Sequence, residues 1–214
     1  MLVLAFDTAT PAVTAALHDG EQVLAESTTI DARRHGELLV PTIETVLGAA
    51  GVSLHDVTAI VAGSGPGPYT GLRVGLMTAQ GLSTTLGVPA YGVCTLDAVA
   101  YASGLTGPFL AATDARRKEV FWARYADRRT RTDGPFVDRP ADVPVEGLPV
   151  VGAGAGLYPE ALGQSDAPPY PYGGFLAALA AERMAAGATL DPPRPIYLRR
   201  PDAVVPGAPK RVTA

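Results

Sequence analysis

The order of apolar segments in the first hundred residues constrains the fold most. The runs LVLAFD and AVTAALHDGEQVLAESTTI contain three strand candidates, and Asp19-Gly20 supplies a hairpin turn between the second and the third. Helical and strand patterns alternate after them. Three strands followed by alternating helices and strands predict a mixed α/β sheet.

Two helices are predicted within this alternating region, on either side of a buried strand at 57–63. The first is HGELLVPTIETVLGAAG, in which Pro41 is expected to produce a kink, and the second is LRVGLMTAQGLSTTLG. Both are apolar or small on more than one face. A helix of this kind must be covered by its own sheet on one side and by something else on the other, and we expect another chain.

Composition and charge narrow the class of protein. Hydrophobic residues make up 47% of the 214 residues and charged residues 18%, which is typical of a folded domain. Cys94 is the single cysteine, which favours a reducing compartment, and no leader or membrane-spanning run is evident, so a cytoplasmic protein without membrane association is predicted. Residues 1–107 carry three Arg against nine Asp or Glu, a poor surface for nucleic acid.

The second half has fewer elements and predicts a lesser lobe. The predicted domains are residues 1–106, which contain the two helices, and residues 107–214, which end in a Pro-rich tail. Strands are expected at FLAATDAR, KEVFWARYA and LPVVGAG, and one helix at FLAALAAERMAAG. The tail is expected to order against the second lobe through Tyr197 and to fray beyond Pro206.

An Arg-rich segment at 115–133 is the one obvious basic feature of the sequence. Acidic residues are interspersed with its arginines, and few aromatic residues accompany them. A solvated face of a hairpin is the favoured interpretation, with a tRNA-facing patch as the alternative.

The loop GSGPGPYTGLRVG, residues 63–75, has two interpretations. Pro66 and Pro68 each remove a backbone donor that a phosphate site would need, and neither common phosphate fingerprint is complete. A tight strand-to-helix turn capped by Thr70 is therefore favoured. Arg73 opposes the helix dipole in the first turn, so an acidic or phosphate partner is expected for it.

Asp7, in the stretch FDTAT, is a second candidate. At the end of the first strand its carboxylate could hold a metal-bound water or orient a nucleotide phosphate, or it could be a turn residue that accepts backbone N–H bonds. The first interpretation gives the alternative function, a small actin-like ATPase or kinase that uses Asp7 and the loop from Gly65 to Gly71.

The histidines and the cysteine do not form a recognisable set of catalytic residues in the sequence. His18, His35 and His55 lie far apart in the sequence, and Cys94 has no histidine close to it in the chain. We expect no catalytic residue and no metal ligand in this chain, and hence no independent enzymatic activity, including peptide hydrolysis.

Five segments, in this order, resemble the TsaB (YeaZ) family: FDTAT, RRHGELLVPTI, GPGPYTGLRVG, DARRKEVFWA and PIYLRR. They span nearly the whole chain. The resemblance implies the fold shared by actin, sugar kinases and heat-shock ATPases, with two lobes built on βββαβα cores and a reduced second lobe.

The resemblance also implies a function. Members act as noncatalytic dimerisation subunits in making N6-threonylcarbamoyladenosine at position 37 of tRNA. They pair with and activate a catalytic paralogue, TsaD, and a small ATPase, TsaE, joins them. A homodimer is expected when the chain is alone, and tRNA contact falls mainly to the complex. No cofactor is required by this chain alone, and any use of ATP and magnesium is assigned to the assembled complex.

TsaD relatives carry a His-x-x-x-His pair that binds a metal ion. The matching stretch here is VCTLDAV, which places Thr95 and Val99 where those histidines stand. Val99 cannot bind a metal, so the resemblance agrees with the absence of a catalytic centre.

In the family, the two helices of the first lobe pack against the equivalent pair of the partner. The residues expected at this interface are Leu38, Thr42, Thr45, Val46, Leu76, Met77, Ala79, Gln80, Ser83 and Thr84. A nucleotide at the shared interface, or else a purely structural loop, is expected at Asp7, Gly65, Gly67, Thr70 and Arg73. Breaking the helical surface, by Met77→Arg or Leu76→Glu, is expected to abolish tRNA modification.

Overall fold

The first sheet contains the predicted strands of the N-terminal half. The computed structural model describes residues 1–199. The strands in chain order are β1 (Val3–Asp7), β2 (Ala12–His18), β3 (Val23–Ile30), β4 (Ala59–Gly63) and β5 (Ala90–Val93). Their order across the sheet is β3-β2-β1-β4-β5. The strands β1, β2 and β3 pair antiparallel, whereas β1, β4 and β5 pair parallel, so the predicted mixed sheet is confirmed.

Helices cover both faces of this sheet. On one face lie α1 (His35–Ala50) and α2 (Tyr69–Leu86), which share a core with Phe6 and Ile60. On the other face lie α3 (Thr95–Ala102) and α6 (Gly173–Ala185), which share a core with Val61. Strands β1 and β4 are buried along their whole length because helices cover both their sides.

The second sheet has four strands, in the order β8-β7-β6-β9. They are β6 (Phe109–Asp114), β7 (Val120–Asp127), β8 (Thr130–Asp138) and β9 (Val150–Val151). Short helices α4 (Ala153–Leu157) and α5 (Pro159–Leu162) follow, and two single 3₁₀ turns lie at Leu54–Asp56 and Pro140–Asp142. The two sheets, with helices on both faces of the first, make the structure an α/β protein, as predicted.

One strand was not predicted, and one local prediction is wrong. The strand β8 begins inside the Arg-rich segment and pairs with β7, so that segment contributes to a hairpin. Thr70 does not cap α2: the helix begins at Tyr69, and Pro68 occupies the N-cap position without a side-chain hydrogen bond.

The chain returns to the first lobe after the second sheet. The predicted boundary at 106/107 falls between the two sheets, yet α6 packs against the first sheet, and Ile196 donates its amide to the carbonyl of Ser64 at 2.9 Å. The division into domains 1–106 and 107–214 stays a prediction. None of the helices within residues 1–199 combines the length and apolar character needed to cross a membrane.

Tyr197 does not order the tail against the second lobe, contrary to the prediction. Its ring stacks on Tyr69 of α2, with the ring centroids 5.6 Å apart. Its neighbours Ile196 and Leu198 contact the core that contains Phe109 and Phe121, because alternate side chains leave this segment on opposite sides. The predicted fraying beyond Pro206 lies outside the described residues.

Candidate functional site

Only some of the residues predicted for the partner interface lie on the outward surface of α1 and α2. Thr45, Met77, Gln80 and Thr84 are exposed, and Leu38 and Ser83 are half-buried. Contrary to the prediction, the remaining residues are buried beneath the helices, and the last three belong to the core shared with the first sheet: Thr42, Val46, Leu76 and Ala79. The helical repeat places them one turn apart on the inner side.

We define the α1–α2 face as the exposed residues Val40, Pro41, Thr45, Met77, Gln80 and Thr84. Met77 is 61% exposed and Val40 is 53% exposed, which makes both unusual for large apolar side chains. The sequence prediction did not include Val40 or Pro41. Val40 was missed because the apolar pattern of α1 does not distinguish an exposed valine from the buried apolar residues of the same helix.

The threonines of this face are less polar than their type suggests. Thr45 donates its hydroxyl to the carbonyl of Pro41 at 2.8 Å, and Thr84 donates to the carbonyl of Gln80 at 2.9 Å. Each hydroxyl is satisfied within its own helix. The six residues of the face therefore offer mainly apolar atoms, and the charged side chains Glu37, Glu44 and Arg73 are exposed one helical turn away from them.

Asp7 is enclosed. It has no exposed surface; its Oδ1 accepts the amide of Ala9 at 2.6 Å and its Oδ2 accepts the hydroxyl of Thr95 at 2.6 Å. A side chain at Gly63 would lie 1.7 Å from Oδ2, so the neighbouring strand closes over the carboxylate. Burial raises the pKa of Asp7 to about 6 despite these hydrogen bonds. Of the two interpretations, the geometry favours the turn residue over a phosphate or metal ligand.

Thr95 joins this carboxylate to the Gly-rich loop. Its hydroxyl oxygen accepts the amide of Gly65 at 3.0 Å, and its own amide donates to the carbonyl of Gly65 at 2.8 Å. Val99, one turn later in α3, is fully buried. The two positions that the resemblance aligns with metal-binding histidines are thus structural here.

The glycines of the loop allow close packing against the turn that follows β1. A β-carbon at Gly67 would lie 2.2 Å from the carbonyl oxygen of Ala9, and one at Gly71 would lie 2.5 Å from the carbonyl oxygen of Thr8. Gly65 has a φ of 85°, which glycine adopts without strain. These contacts favour the structural interpretation of the loop.

Within residues 1–199, the acidic partner expected for Arg73 is not found, and the phosphate partner stays a prediction. It donates to the Tyr69 hydroxyl at 2.7 Å and lies over the Tyr69 ring at 5.1 Å. Thr70 is exposed beside it. A tyrosine four residues earlier offers an acceptor and a π face at the helical spacing, and this replaces a carboxylate in the first turn.

The histidines do not converge on a common site. His18 accepts the amide of Gly20, His35 donates through Nε2 to the carbonyl of Thr10, and His55 is exposed. Within residues 1–199, no group of three or more His, Cys, Asp or Glu side chains is placed to hold a metal ion. Burial raises the pKa of the Cys94 thiol to about 12, which disfavours a nucleophilic thiolate.

The Arg-rich segment is paired with acidic side chains of this chain. Arg116 contacts Asp114 at 3.0 Å, Arg124 contacts Glu146 at 2.9 Å, and Arg129 contacts Glu182 at 2.7 Å. These pairs agree with a solvated hairpin face more than with a patch reserved for tRNA.

One buried network was not predicted from the sequence. Asp97 of α3 accepts the Tyr125 hydroxyl at 2.9 Å and Arg183 Nη2 at 3.0 Å, and Arg131 Nη1 lies 3.6 Å from it. Its members come from α3, β7, β8 and α6, so no local pattern in the sequence brings them together.

Two cavities separate the lobes. One of about 570 Å³ is bordered by the Gly-rich loop at Gly67 and by the turn after β6. The other, of about 490 Å³, lies between Thr10 and Thr113. Asp7 is not among the residues that border either cavity.

This arrangement defines an actin-like protein whose first-strand carboxylate is enclosed and whose outer helices carry an apolar face. The fold is similar to that of the solved structure of YeaZ from Pseudomonas aeruginosa, at a TM-score of 0.77 and 30% identity over 92% of this chain and 99% of that one. A second Pseudomonas aeruginosa structure, that of an uncharacterized protein with similarity to peptidase YEAZ, matches at a TM-score of 0.81 and 31% identity over 92% of this chain and 99% of that one.

Sequence comparison agrees with the structural similarity. TsaB of Escherichia coli is 40% identical over 129 residues, which are 58% of this chain and 55% of that protein. An uncharacterized protein of Mycobacterium tuberculosis is 47% identical over 94% of this chain and 93% of its own length. Residues 22–155 match the family model described as TsaD: tRNA N6-adenosine threonylcarbamoyltransferase. The chain belongs to the TsaB (YeaZ) family.

Proposed function

We propose that this chain is a noncatalytic accessory subunit in the biosynthesis of tRNA threonylcarbamoyladenosine, and that it docks a TsaD-like catalytic chain through the α1–α2 face. Its curated TsaB relatives carry the name of that biosynthesis. The observation that carries the docking role is the exposure of Met77 and Val40, at 61% and 53%, on adjacent helices of one lobe.

The composition of the α1–α2 face supports a protein partner. Large apolar side chains in water cost free energy, of the order of 25 cal/mol per Å² of apolar surface, and a partner that covers them recovers it. Helix-bound threonine hydroxyls require no new acceptor when they are covered. The partner fits best if it presents a similar face, and a match of this chain to the TsaD family model supports a partner of the same fold.

The lack of catalysis is supported by the enclosed groups. Asp7 has both carboxylate oxygens occupied, Cys94 is 6% exposed with a raised pKa, and Val99 stands where TsaD relatives hold a metal-binding histidine. Each argues against a nucleophile, a metal ligand or a phosphate-orienting carboxylate in this chain. The actin-like ATPase interpretation, which depended on Asp7, loses its central residue.

The other partners follow as part of the same proposal. The face that receives the TsaD-like chain would form a homodimer when that chain is missing, since a self-complementary apolar face can pair with its copy. A TsaE-like ATPase, ATP with magnesium, and most of the tRNA contact are assigned to the assembled complex.

Reconstitution tests this function. The purified chain, a TsaD-like chain from the same organism, and both together are each incubated with a TsaE-like ATPase, ATP, magnesium, threonylcarbamoyl-AMP and unmodified tRNA. We expect modified nucleoside from the combined sample and none from this chain by itself. Modification by this chain in the absence of the TsaD-like chain would overturn the proposal, as would equal yields with and without this chain.

A further inference from the structure

A third cavity is lined by arginines from three separate parts of the chain. It has a volume of about 310 Å³, and Arg131 of β8, Arg183 of α6 and Arg194 line it together with Ser64 and Asp97. We call it the arginine cavity. It lies on the side of the first sheet that carries α3 and α6, opposite the α1–α2 face, so its role is independent of the proposed docking.

Arg131 leaves one of its donors without an acceptor. Among the described residues, Nη1 of this guanidinium is buried and makes no hydrogen bond. Its ion-pair partner Asp97 lies 3.6 Å away, beyond hydrogen-bond distance, and the oxygen concerned already accepts the Tyr125 hydroxyl. The charge of Arg131 is therefore not fully compensated within the described residues, and the rest of its side chain, which is 29% exposed, borders the cavity.

Asp97 cannot neutralise the arginines that surround it. Its second oxygen accepts Arg183 at 3.0 Å, so one carboxylate faces two guanidinium groups. Arg194 adds a third positive charge and Asp191 a second negative one to the lining, which leaves one positive charge in excess. Arg194 is exposed at the opening, and in residues 1–199 no acceptor for its side chain is found.

We propose that the arginine cavity binds one small oxyanion, of the phosphate or carboxylate class, between Arg131 and Arg194. Guanidinium groups pair with both types of anion through parallel N–H bonds, and the buried Ser64 hydroxyl is a further donor at the wall. The volume is at the lower limit of ligand pockets, roughly 300 Å³, which suits a small anion rather than a nucleotide.

Because of the position of the cavity, a bound anion would contact several separate elements of the fold. Arg131 belongs to the second sheet, Arg183 belongs to the helix that covers the first sheet, and Arg194 belongs to the returning segment. An anion held by Arg131 and Arg194 would join the two lobes through charge-assisted bonds.

Isothermal titration calorimetry of the full chain tests the site. Sodium phosphate and, in a separate arm, sodium acetate are titrated at constant ionic strength and pH. Saturable binding of one anion per chain is the expected result, and the arm that binds more tightly assigns the class. Absence of saturable binding in both arms would overturn the proposal.

Substitutions locate the binding. Arg194→Gln removes a cation that has no described side-chain partner, so the fold should persist while affinity falls about tenfold, the effect of one charge-assisted hydrogen bond. Arg139→Gln, an exposed position that does not line the cavity, is the matched control and should leave affinity unchanged. Arg131→Lys keeps the charge beside Asp97 and should also weaken binding. Equal affinity in the Arg194→Gln and Arg139→Gln variants would contradict the assignment.

Discussion

The hydroxyl of Thr95 donates to Oδ2 of Asp7 at 2.6 Å across 88 positions of sequence. The same hydroxyl oxygen accepts the amide of Gly65. This contact holds the end of β1, the Gly-rich loop and the start of α3 together in a fully buried position. A carboxylate that could have served a nucleotide is thereby used inside the fold.

Replacing Thr95 by valine should destabilise the chain. The change leaves Asp7 Oδ2 and the Gly65 amide without their partner, at a cost of roughly 2 to 4 kcal/mol in the free energy of unfolding. Urea denaturation measures it. Thr113→Val is the matched control, because among the described residues the buried hydroxyl of Thr113 has no partner, and its loss should be neutral or slightly stabilising. Equal costs for the two variants would contradict this role of Thr95.

Asp7 should make stability depend on pH in an unusual direction. Its pKa rises from 3.8 to about 6 because burial disfavours the charged form. The group therefore contributes stability that is fully present below pH 3.8 and is lost as pH rises through about 6. We expect the free energy of unfolding of Asp7→Asn, relative to wild type, to increase by about 3 kcal/mol over this window.

Asp19→Asn provides the control of opposite sign. The pKa of Asp19 is lowered by backbone hydrogen bonds from Gln22 and Glu21, so its contribution is lost as pH falls. Denaturant titrations at several pH values compare the two variants. A flat difference between Asp7→Asn and wild type would show that Asp7 is not buried as described.

Gly63→Ala should be among the most damaging small substitutions. The added β-carbon would lie 1.7 Å from Asp7 Oδ2, which two hydrogen bonds hold in place, and we expect a loss of at least about 3 kcal/mol. Gly81→Ala, in open space on α2, should instead stabilise the isolated chain by about 0.5 to 1 kcal/mol through helix propensity. Circular dichroism during urea denaturation measures both, and similar effects of the two substitutions would contradict the packing around Asp7.

Cys94 should be unreactive in the folded chain. It is 6% exposed and its thiol has a pKa of about 12, so little thiolate is present at neutral pH. Alkylation by iodoacetamide, followed by mass spectrometry, should proceed at least about a hundredfold more slowly than in urea-denatured chain. Comparable rates in the two states would reopen Cys94 as a nucleophile.

Much of the fold was predictable because local patterns and global packing agree. The hairpin at Asp19-Gly20 and the helices α1 and α2 have strong periodic signals, and each occurs where expected. Strand β8 was not predicted as a strand because its arginines and aspartates hide a pairing that β7 imposes. Likewise, no local sequence signal places α6 on the first sheet, since α6 follows the second sheet in the chain and its contacts with the first sheet are distant in sequence.

The candidate site was less predictable for a related reason. The helices α1 and α2 are apolar or small around much of their circumference, so sequence alone could not tell the buried Val46 and Ala79 from the exposed Met77. Leu76, 5% exposed, shows the consequence: Leu76→Glu would damage the core, so it is not a clean test of docking. Long-range pairs such as Asp97 and Arg183 likewise have no signature in a single sequence.

The most direct test of the docking role is the affinity of this chain for a TsaD-like chain of the same organism, measured by sedimentation equilibrium. Met77→Arg puts a charge on the α1–α2 face and should weaken the complex at least about a hundredfold. Leu157→Arg, at a position 53% exposed on α4, should leave it intact. Unchanged affinity with Met77→Arg, or equal losses in the two variants, would contradict docking through this face.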